Sequence, residues 1–451
     1  MWAQAANGDW LDGQRLRRVC ILLIAATVLS YGVLLATAHG TLDRLGRPIG
    51  TDFSDVYAAG WMANHGRVAA AWIWPEHYRV QQMLHASPGV PFYGWHYPPP
   101  FLLVASPLAT LPYLVALALW LGGTLALATV AARAVLPGRG TVLAVLAAPT
   151  TFLCLGHGQN AFLTASLLGG GLWLLDRRPF VAGLLLGCLI YKPQFALLLP
   201  VVLLAAGNGR AILGAACSSF ALVAATVALW GWPVWQSFLD TLPLTRTVVI
   251  ETGQTGWEKI VSAFAAARAW GAPLPVAYGV QGGVTMLAIG GAALATRRAT
   301  HRVRNAATCA AALLSTPYVL DYDLVILGAA TLFLVADARV RGWLPGEKTL
   351  LAIAYVVPLG GRQIAAATLL PIDFLAVVAV FALALRRGWT LDGGPQRPAV
   401  PSMRPDHGGD PSSAGAVPLF RPATGAAGVA RRRFLAPPAP AVATGASATG
   451  I

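Results

Sequence analysis

The feature that most constrains this chain is a series of apolar runs, spread along most of its length, that carry no charge and reach or approach the length of a membrane-crossing helix. A bilayer core of roughly 30 Å takes about 20 apolar residues as a straight helix. Residues 19–38 form one such run and residues 113–132 another. With 56% hydrophobic and 11% charged residues, the whole has the composition of helices packed in lipid rather than of a water-soluble domain. The fold class implied is an all-α polytopic membrane protein, and the runs suggest about 10–12 transmembrane helices.

The formal charge of +14 would suit nucleic-acid binding if the basic residues formed a stripe on a soluble face. They stand instead in short clusters between apolar runs: Arg15, Arg17 and Arg18; Arg177 and Arg178; Arg297, Arg298, Arg302 and Arg304; Arg339 and Arg341; Arg386 and Arg387. Such clusters mark cytoplasmic loops, so no nucleic-acid partner is expected, and membrane lipids are. Residues 1–18 read as a cytoplasmic N-terminus, with the first run an uncleaved signal anchor, because it is longer than a signal-peptide core and further spans follow.

The spans lie within residues 19–387, with a first outer loop at 40–100 and a second at 232–275. Residues 101–111 are short for a crossing and read as re-entrant or interfacial. Further runs at about 141–155, 160–175, 179–191, 194–206, 211–231, 276–295, 306–318, 324–336, 349–368 and 371–385 read as crossings. The segment 388–451, rich in Ala, Pro, Gly and Ser, buries too little to offset its ordering entropy and reads as a disordered cytoplasmic tail. The five cysteines fall in or beside apolar runs without a CxxC pair, so they read as small buried residues.

On this topology the polar residues near apolar runs collect on the outer side: Asp52, Asp55, His96, Gln159, Asn160, Lys192, Gln194, Glu251, Glu258, Asp321 and Asp323. A charge at membrane depth costs about 2.5–3.5 kcal/mol on insertion scales, which makes Lys192, in Ile190-Tyr191-Lys192-Pro193-Gln194, either a phosphate-binding group or a snorkelling lysine at a helix break. Phe53, Tyr57 and Trp61 recur every four residues and predict a helix. Asp52 would then be its N-cap and Asp55 a first-turn acid, or one of them a base facing an acceptor hydroxyl. Tyr97-Pro98-Pro99-Pro100 predicts an extended entry to the next apolar run, with His96 and Trp95 as interfacial anchors or more. Asp321-Tyr322-Asp323 has the spacing of a metal-holding DxD, and one of its carboxylates could equally pair with Lys192.

Taken in order, Asp52-Phe53 with Tyr57-Ala58-Ala59, Tyr97-Pro98-Pro99, Pro107-Leu108, Leu111-Pro112, Trp120, Gly158-Gln159-Asn160, Ala182-Gly183-Leu184, Lys192-Pro193-Gln194, Thr316-Pro317-Tyr318 and Tyr322-Asp323-Leu324 resemble glycosyltransferase family 87, the polyprenyl-phosphate-mannose-dependent type of membrane enzyme. The resemblance spans about residues 20–385. It implies a GT-C fold in the bacterial inner membrane, a polyprenyl-phosphate hexose donor, inversion at the anomeric carbon and a lipid or glycan acceptor on the extracytoplasmic face. It also implies Asp52 as the base, with Asp55 second, and Lys192 as the phosphate partner with His96 as a helper. Tyr57, Tyr97, Gln159, Asn160, Gln194, Tyr322 and Asp323 become candidate substrate contacts. No metal or other cofactor is expected, since no cluster has ligand spacing and a lipid monophosphate carries less charge than a nucleotide diphosphate. A transporter or lipid-linked-saccharide flippase is the competing expectation, as is a non-catalytic assembly protein.

Overall fold

The computed structural model describes residues 7–8 and 10–391; of the expected tail 388–451, residues 388–391 continue the last helix instead, and the rest of the tail lies outside the described residues, as do residues 1–6 and 9. Among the described residues there are nineteen α-helices, several short 3-10 segments and no strand. The protein is thus an all-α, multi-pass membrane protein.

Helix α1 (Gly13–Ala36) begins where the Asp12 carboxylate accepts the Arg15 backbone N–H at 2.7 Å, a capping bond that satisfies one of the free donors of the first turn. At about 1.5 Å per residue it spans a bilayer core, and its flanks Leu22, Val28 and Leu29 face outward, as lipid contact requires. Between it and the next long helix lie α2 (Phe53–Asn64), α3 (Trp74–Leu84) and the short α4 (Leu102–Leu108). The segment 40–100 is therefore a helical cap rather than a loose loop. Helix α4 is too short to cross, in keeping with the reading of residues 101–111.

Helix α5 (Tyr113–Val135) is long enough to cross, as are the later helices of residues 209–230 and 274–298. The pair α6 (Arg139–Ala147) and α7 (Pro149–His157) forms one broken path, bent by 54° where Pro149 starts the second helix. Helices α8 (Ala161–Leu174), α9 (Pro179–Gly187) and α10 (Leu199–Ala205) are apolar but short. They are followed by α11 (Gly209–Trp230) and α12 (Trp232–Thr245), and by α13 (Ala263–Ala269) within the second predicted loop. The chain ends on α14 (Leu274–Arg298), α15 (His301–Leu314), α16 (Val325–Arg341), α17 (Glu347–Val356), α18 (Gly361–Thr368) and α19 (Ile372–Leu391). Four described helices are long and apolar enough to cross by themselves, or up to six crossings if each bent pair counts as one. That is fewer than the expected 10–12. Proline and glycine breaks at 148–149, 187–193 and 359–361 divide several of the apolar runs, so run length in the sequence overstates helix length.

What holds α9 against α11 is backbone-to-backbone approach. A Cβ on Gly183 would fall 2.1 Å from the Ala211 carbonyl oxygen, one on Gly187 2.3 Å from that of Ala215, and one on Gly214 2.2 Å from that of Phe180. The Gly183-x-x-x-Gly187 face of α9 and Gly214 of α11 thus interlock, the close packing by which helices associate where the hydrophobic effect gives little. Ser219 adds a 3.0 Å bond to the Gly187 carbonyl.

The charged residues divide by helix end. Arg304, at the start of α15, makes a two-pronged pair with Asp176 past the end of α8, at 3.0 and 2.7 Å. Arg387 in α19, fully buried, pairs with Asp337 of α16 and Glu347 of α17. Helices α8 and α16 begin at Asn160 and just beyond Asp323, so these basic anchors and the polar candidates occupy opposite ends of the bundle.

Gly187→Val, which forces Cβ into the Ala215 carbonyl, is expected to lower the unfolding temperature in lipid nanodiscs, an overpacking cost of about 1–3 kcal/mol. Gly282→Ala, where nothing lies within 4 Å, should leave it unchanged or raise it.

Candidate active site

The loop that leaves α7 is the meeting point of the site. Gly158 has φ +66°, and a Cβ there would lie 2.6 Å from the Phe53 Cβ and 2.7 Å from the Gly50 carbonyl oxygen. Only glycine permits both that backbone and that approach. Trp120 of α5 clamps the turn by donating its indole N–H to the Gly158 carbonyl, 3.1 Å. The turn therefore presses against the chain leading into α2, and the Asp52 backbone N–H donates to the His157 carbonyl at 3.0 Å.

Asp52 does not cap α2. Its backbone is already helical, at φ −71° and ψ −19°, instead of the extended geometry of a capping residue, so its carboxylate turns away from the helix. There Oδ2 accepts from Gln159 Nε2 at 2.7 Å, and Gln159 Oε1 accepts from the Tyr97 hydroxyl at 3.0 Å. Asp52 Oδ1 faces His157 Nδ1 across 3.9 Å, and the Asp52 side chain keeps 22% of its surface open. Asp55, one turn on, is only 5% exposed, and its Oδ1 has no partner. Burial, reinforced by the nearby Asp52 charge, holds its pKa well above the ordinary carboxylate range.

Beside this chain stands a second group. Lys192, at the break after α9 and 4% exposed, donates to Asp323 Oδ1 at 2.6 Å and to Asn160 Oδ1 at 3.0 Å. Its ammonium also sits 5.4 Å from the ring centres of Phe195 and Tyr322. Asp323 Oδ2 accepts the Leu320 backbone N–H at 3.2 Å. Asn160 Nδ2 is buried without a partner. The two groups touch where the Asn160 backbone N–H reaches Gln159 Oε1, 3.3 Å, and where the His157 and Tyr322 rings lie 5.7 Å apart.

The two acids of Asp321-Tyr322-Asp323 do not converge. Asp321 Oδ1 accepts the Tyr322 backbone N–H at 2.8 Å, its Oδ2 is buried and unpartnered, and its pKa is raised by burial against the opposing charges of His157 and Arg362. Among the described residues no three His, Cys, Asp or Glu side chains come together as a metal site.

Other candidates sit further out. His96 Nδ1 lies 3.0 Å from Thr245 Oγ1, and its ring meets Trp74 edge-on; burial lowers its pKa to about 4, so it is neutral at pH 7. Tyr57 gives its hydroxyl proton to the Leu111 carbonyl at 2.7 Å and packs edge-on to Tyr113, which makes it a brace between α2 and the start of α5. Gln194 is half-buried and hydrogen-bonds to none of the described residues. His157 and Arg362 escaped the reading of the sequence. His157 stood next to the Gly158-Gln159-Asn160 motif, and Arg362, a charge inside the expected crossing 349–368, carried the same signal as Lys192; the 76° bend between α17 and α18 brings it in.

The site thus joins a partly exposed, hydrogen-bonded carboxylate to a buried lysine–amide group at one end of a helical membrane bundle. The sequence model of glycosyltransferase family 87 matches residues 95–320, half of the chain, and the protein belongs to that family of glycosyltransferases. Tyr97, Gln159, Asn160 and Lys192 fall inside the match, while Asp52 and Asp323 flank it. No curated protein and no solved structure matches the chain.

Because Asp55 binds its proton more tightly folded than unfolded, its contribution is most favourable below the unfolded value of 3.8 and is lost as pH rises toward the folded one. Asp55→Asn is therefore expected to unfold at a higher temperature than wild type at pH about 7, the gap closing as pH falls to about 4. Thermal scans across pH check this. Lys192→Met, which strands the buried Asp323 charge, should cost about 3–5 kcal/mol, and Lys192→Met with Asp323→Leu should recover most of it in the same scans.

Proposed function

We propose that this glycosyltransferase moves a hexose, mannose by the resemblance, from a polyprenyl-phosphate donor to a lipid or glycan acceptor on the extracytoplasmic face, in one inverting displacement with Asp52 as base. The observation that carries the reading is the contrast between the two acids of the first cap. Asp52 is partly open, turned off its helix and oriented by Gln159 and Tyr97, with Oδ1 left without a hydrogen bond; Asp55 is buried and favours its proton. A general base must be ionised and within reach of a hydroxyl.

In the step proposed, Asp52 takes the proton of the acceptor hydroxyl as that oxygen attacks the anomeric carbon. The bond from that carbon to the phosphate oxygen breaks on the opposite face, and its electron pair leaves with the polyprenyl phosphate. Lys192 uses two of its three N–H donors on Asp323 and Asn160; the third, with the unpartnered Asn160 Nδ2, is available to a phosphate oxygen. Paired with Asp323, Lys192 contributes donors more than net charge. Arg362, half-buried and close enough to Asp321 for its charge to favour that carboxylate, is a further cation near the site. Neutral His96 and half-buried Gln194 are assigned to the sugar as hydrogen-bonding groups.

An apolar groove of about 500 Å³ supports a lipid-borne donor. Leu103 and Leu108 of α4, Leu111, and Leu119 and Trp120 of α5 line it, and Trp120 is the residue that holds the Gly158 turn. A chain lying there would end beside the site.

The test uses the purified protein in nanodiscs with radiolabelled polyprenyl-phosphate mannose and total membrane lipid as the acceptor pool. Asp52→Asn is expected to fold and to lose transfer by about 10²–10⁴-fold, while Asp55→Asn keeps far more activity. Retained transfer in Asp52→Asn would sink the base assignment; a folded wild type that accepts another lipid-linked sugar and ignores mannose would replace the donor.

A further inference from the structure

The wall of the apolar groove is bonded into the same turn that fixes Asp52. Trp120 is 6% exposed, forms part of the groove, and donates its indole N–H to the Gly158 carbonyl at 3.1 Å. The residues on either side of that glycine both hold Asp52. His157 accepts the Asp52 backbone N–H through its carbonyl at 3.0 Å, and Gln159 donates to Asp52 Oδ2 through its side-chain amide at 2.7 Å. A second wall residue has a parallel link: the Leu111 carbonyl accepts the Tyr57 hydroxyl at 2.7 Å, and Tyr57 lies on α2, the helix that Asp52 precedes.

An apolar groove alone does not call for a tryptophan, since phenylalanine or leucine would line it as well. The indole N–H answers to the turn, while the apolar body of the same ring answers to the groove. Atoms seated against the ring gain dispersion contacts while it stays in place, so an occupant of the groove restrains the side chain that clamps the turn. An occupant shifts such an equilibrium by as much as it prefers one state over the other, and the state with a fixed indole is the one in which Gly158 is held.

We infer that Trp120 is a positioning residue: a polyprenyl chain seated in the groove packs on its indole, fixes the Gly158 turn and thereby holds Asp52 in place for the attacking hydroxyl. The inference rests on the proposed transfer reading and deepens it. The tail of the donor, remote from the reacting carbon, then contributes to the chemical step as well as to binding. A donor without the tail is turned over slowly even when it saturates the enzyme.

The experiment compares polyprenyl-phosphate mannose with a tail-less analogue, mannose joined to methyl phosphate, on the full chain in nanodiscs with total membrane lipid as the acceptor. In wild type, kcat is expected to be about tenfold or more higher with the long donor. Trp120→Phe keeps an aromatic wall and removes the N–H; the long donor's kcat is expected to fall toward that of the analogue, with its KM moving much less. A merely structural loss lowers both donors alike, so an unchanged kcat ratio in the variant, or equal kcat values in wild type, overturns the inference. Leu103→Ala changes a wall residue that makes no side-chain bond to the turn, and it is expected to raise the long donor's KM and keep the ratio; a ratio that falls as far there overturns the role of Trp120. If Trp120→Phe does not fold, Tyr57→Phe carries the same comparison through Leu111. A second arm needs no transfer. Hydrogen exchange over residues 50–55 and 157–160 is expected to slow when polyprenyl phosphate is added to wild type, not when methyl phosphate is, and to slow much less in Trp120→Phe. No slowing, or equal slowing in the variant, overturns the coupling. Should wild type transfer nothing from polyprenyl-phosphate mannose, the donor reading has failed, and the exchange arm still decides whether a chain in the groove reaches Asp52.

Discussion

The interaction on which the site depends is the buried pair of Lys192 and Asp323. Neither charge is tolerable alone at a position almost closed to water, and together they pin three distant pieces of chain: the break after α9, the turn before α16, and Asn160 at the head of α8. The adjoining residues then have little freedom. Gln159 follows from Asn160, Asp52 from Gln159, and Tyr97 from the other end of the same amide. The polar end of the bundle is a connected structure, and its geometry is set by this charge pair together with the Gly158 turn.

Asp52 and Asp55 show how position decides chemistry for one residue type. They are three residues apart at the start of α2, yet one keeps contact with solvent while the other faces the core beside Phe53 and Val56. The Asp52 charge itself helps keep Asp55 protonated. The same logic separates Asp321 from Asp323: the first has an unpartnered oxygen and a raised pKa, the second is matched to a lysine. A DxD spacing by itself carries no information about which of these environments each acid meets.

Helical class and membrane residence were legible in the sequence because both follow from composition and run length, which tertiary contacts do not alter. Crossing number was less legible. Proline and glycine within the apolar runs split several of them into short helices, and α9 is held against α11 by glycine-mediated packing that hydropathy does not register. The helix at residues 53–64 was readable from the spacing of Phe53, Tyr57 and Trp61, but the same aromatics concealed that Tyr57 spends its hydroxyl on Leu111. Asp52 looked like an N-cap for the same local reason, and a long-range bond to Gln159 set its direction instead.

The sequence by itself determined the all-α membrane class, the family, and the set of polar residues that lipid would not tolerate without a reason. Each of these rests on chemistry carried residue by residue: hydropathy, charge, and motifs in order along the chain. Only the tertiary structure decided which acid is open and which is buried, that Lys192 is matched to Asp323, and that Arg362 and His157 stand near the same end of the bundle. Those facts depend on segments more than 100 residues apart, such as Asp52 with Gln159 and Lys192 with Asp323, brought together by packing that no local pattern encodes.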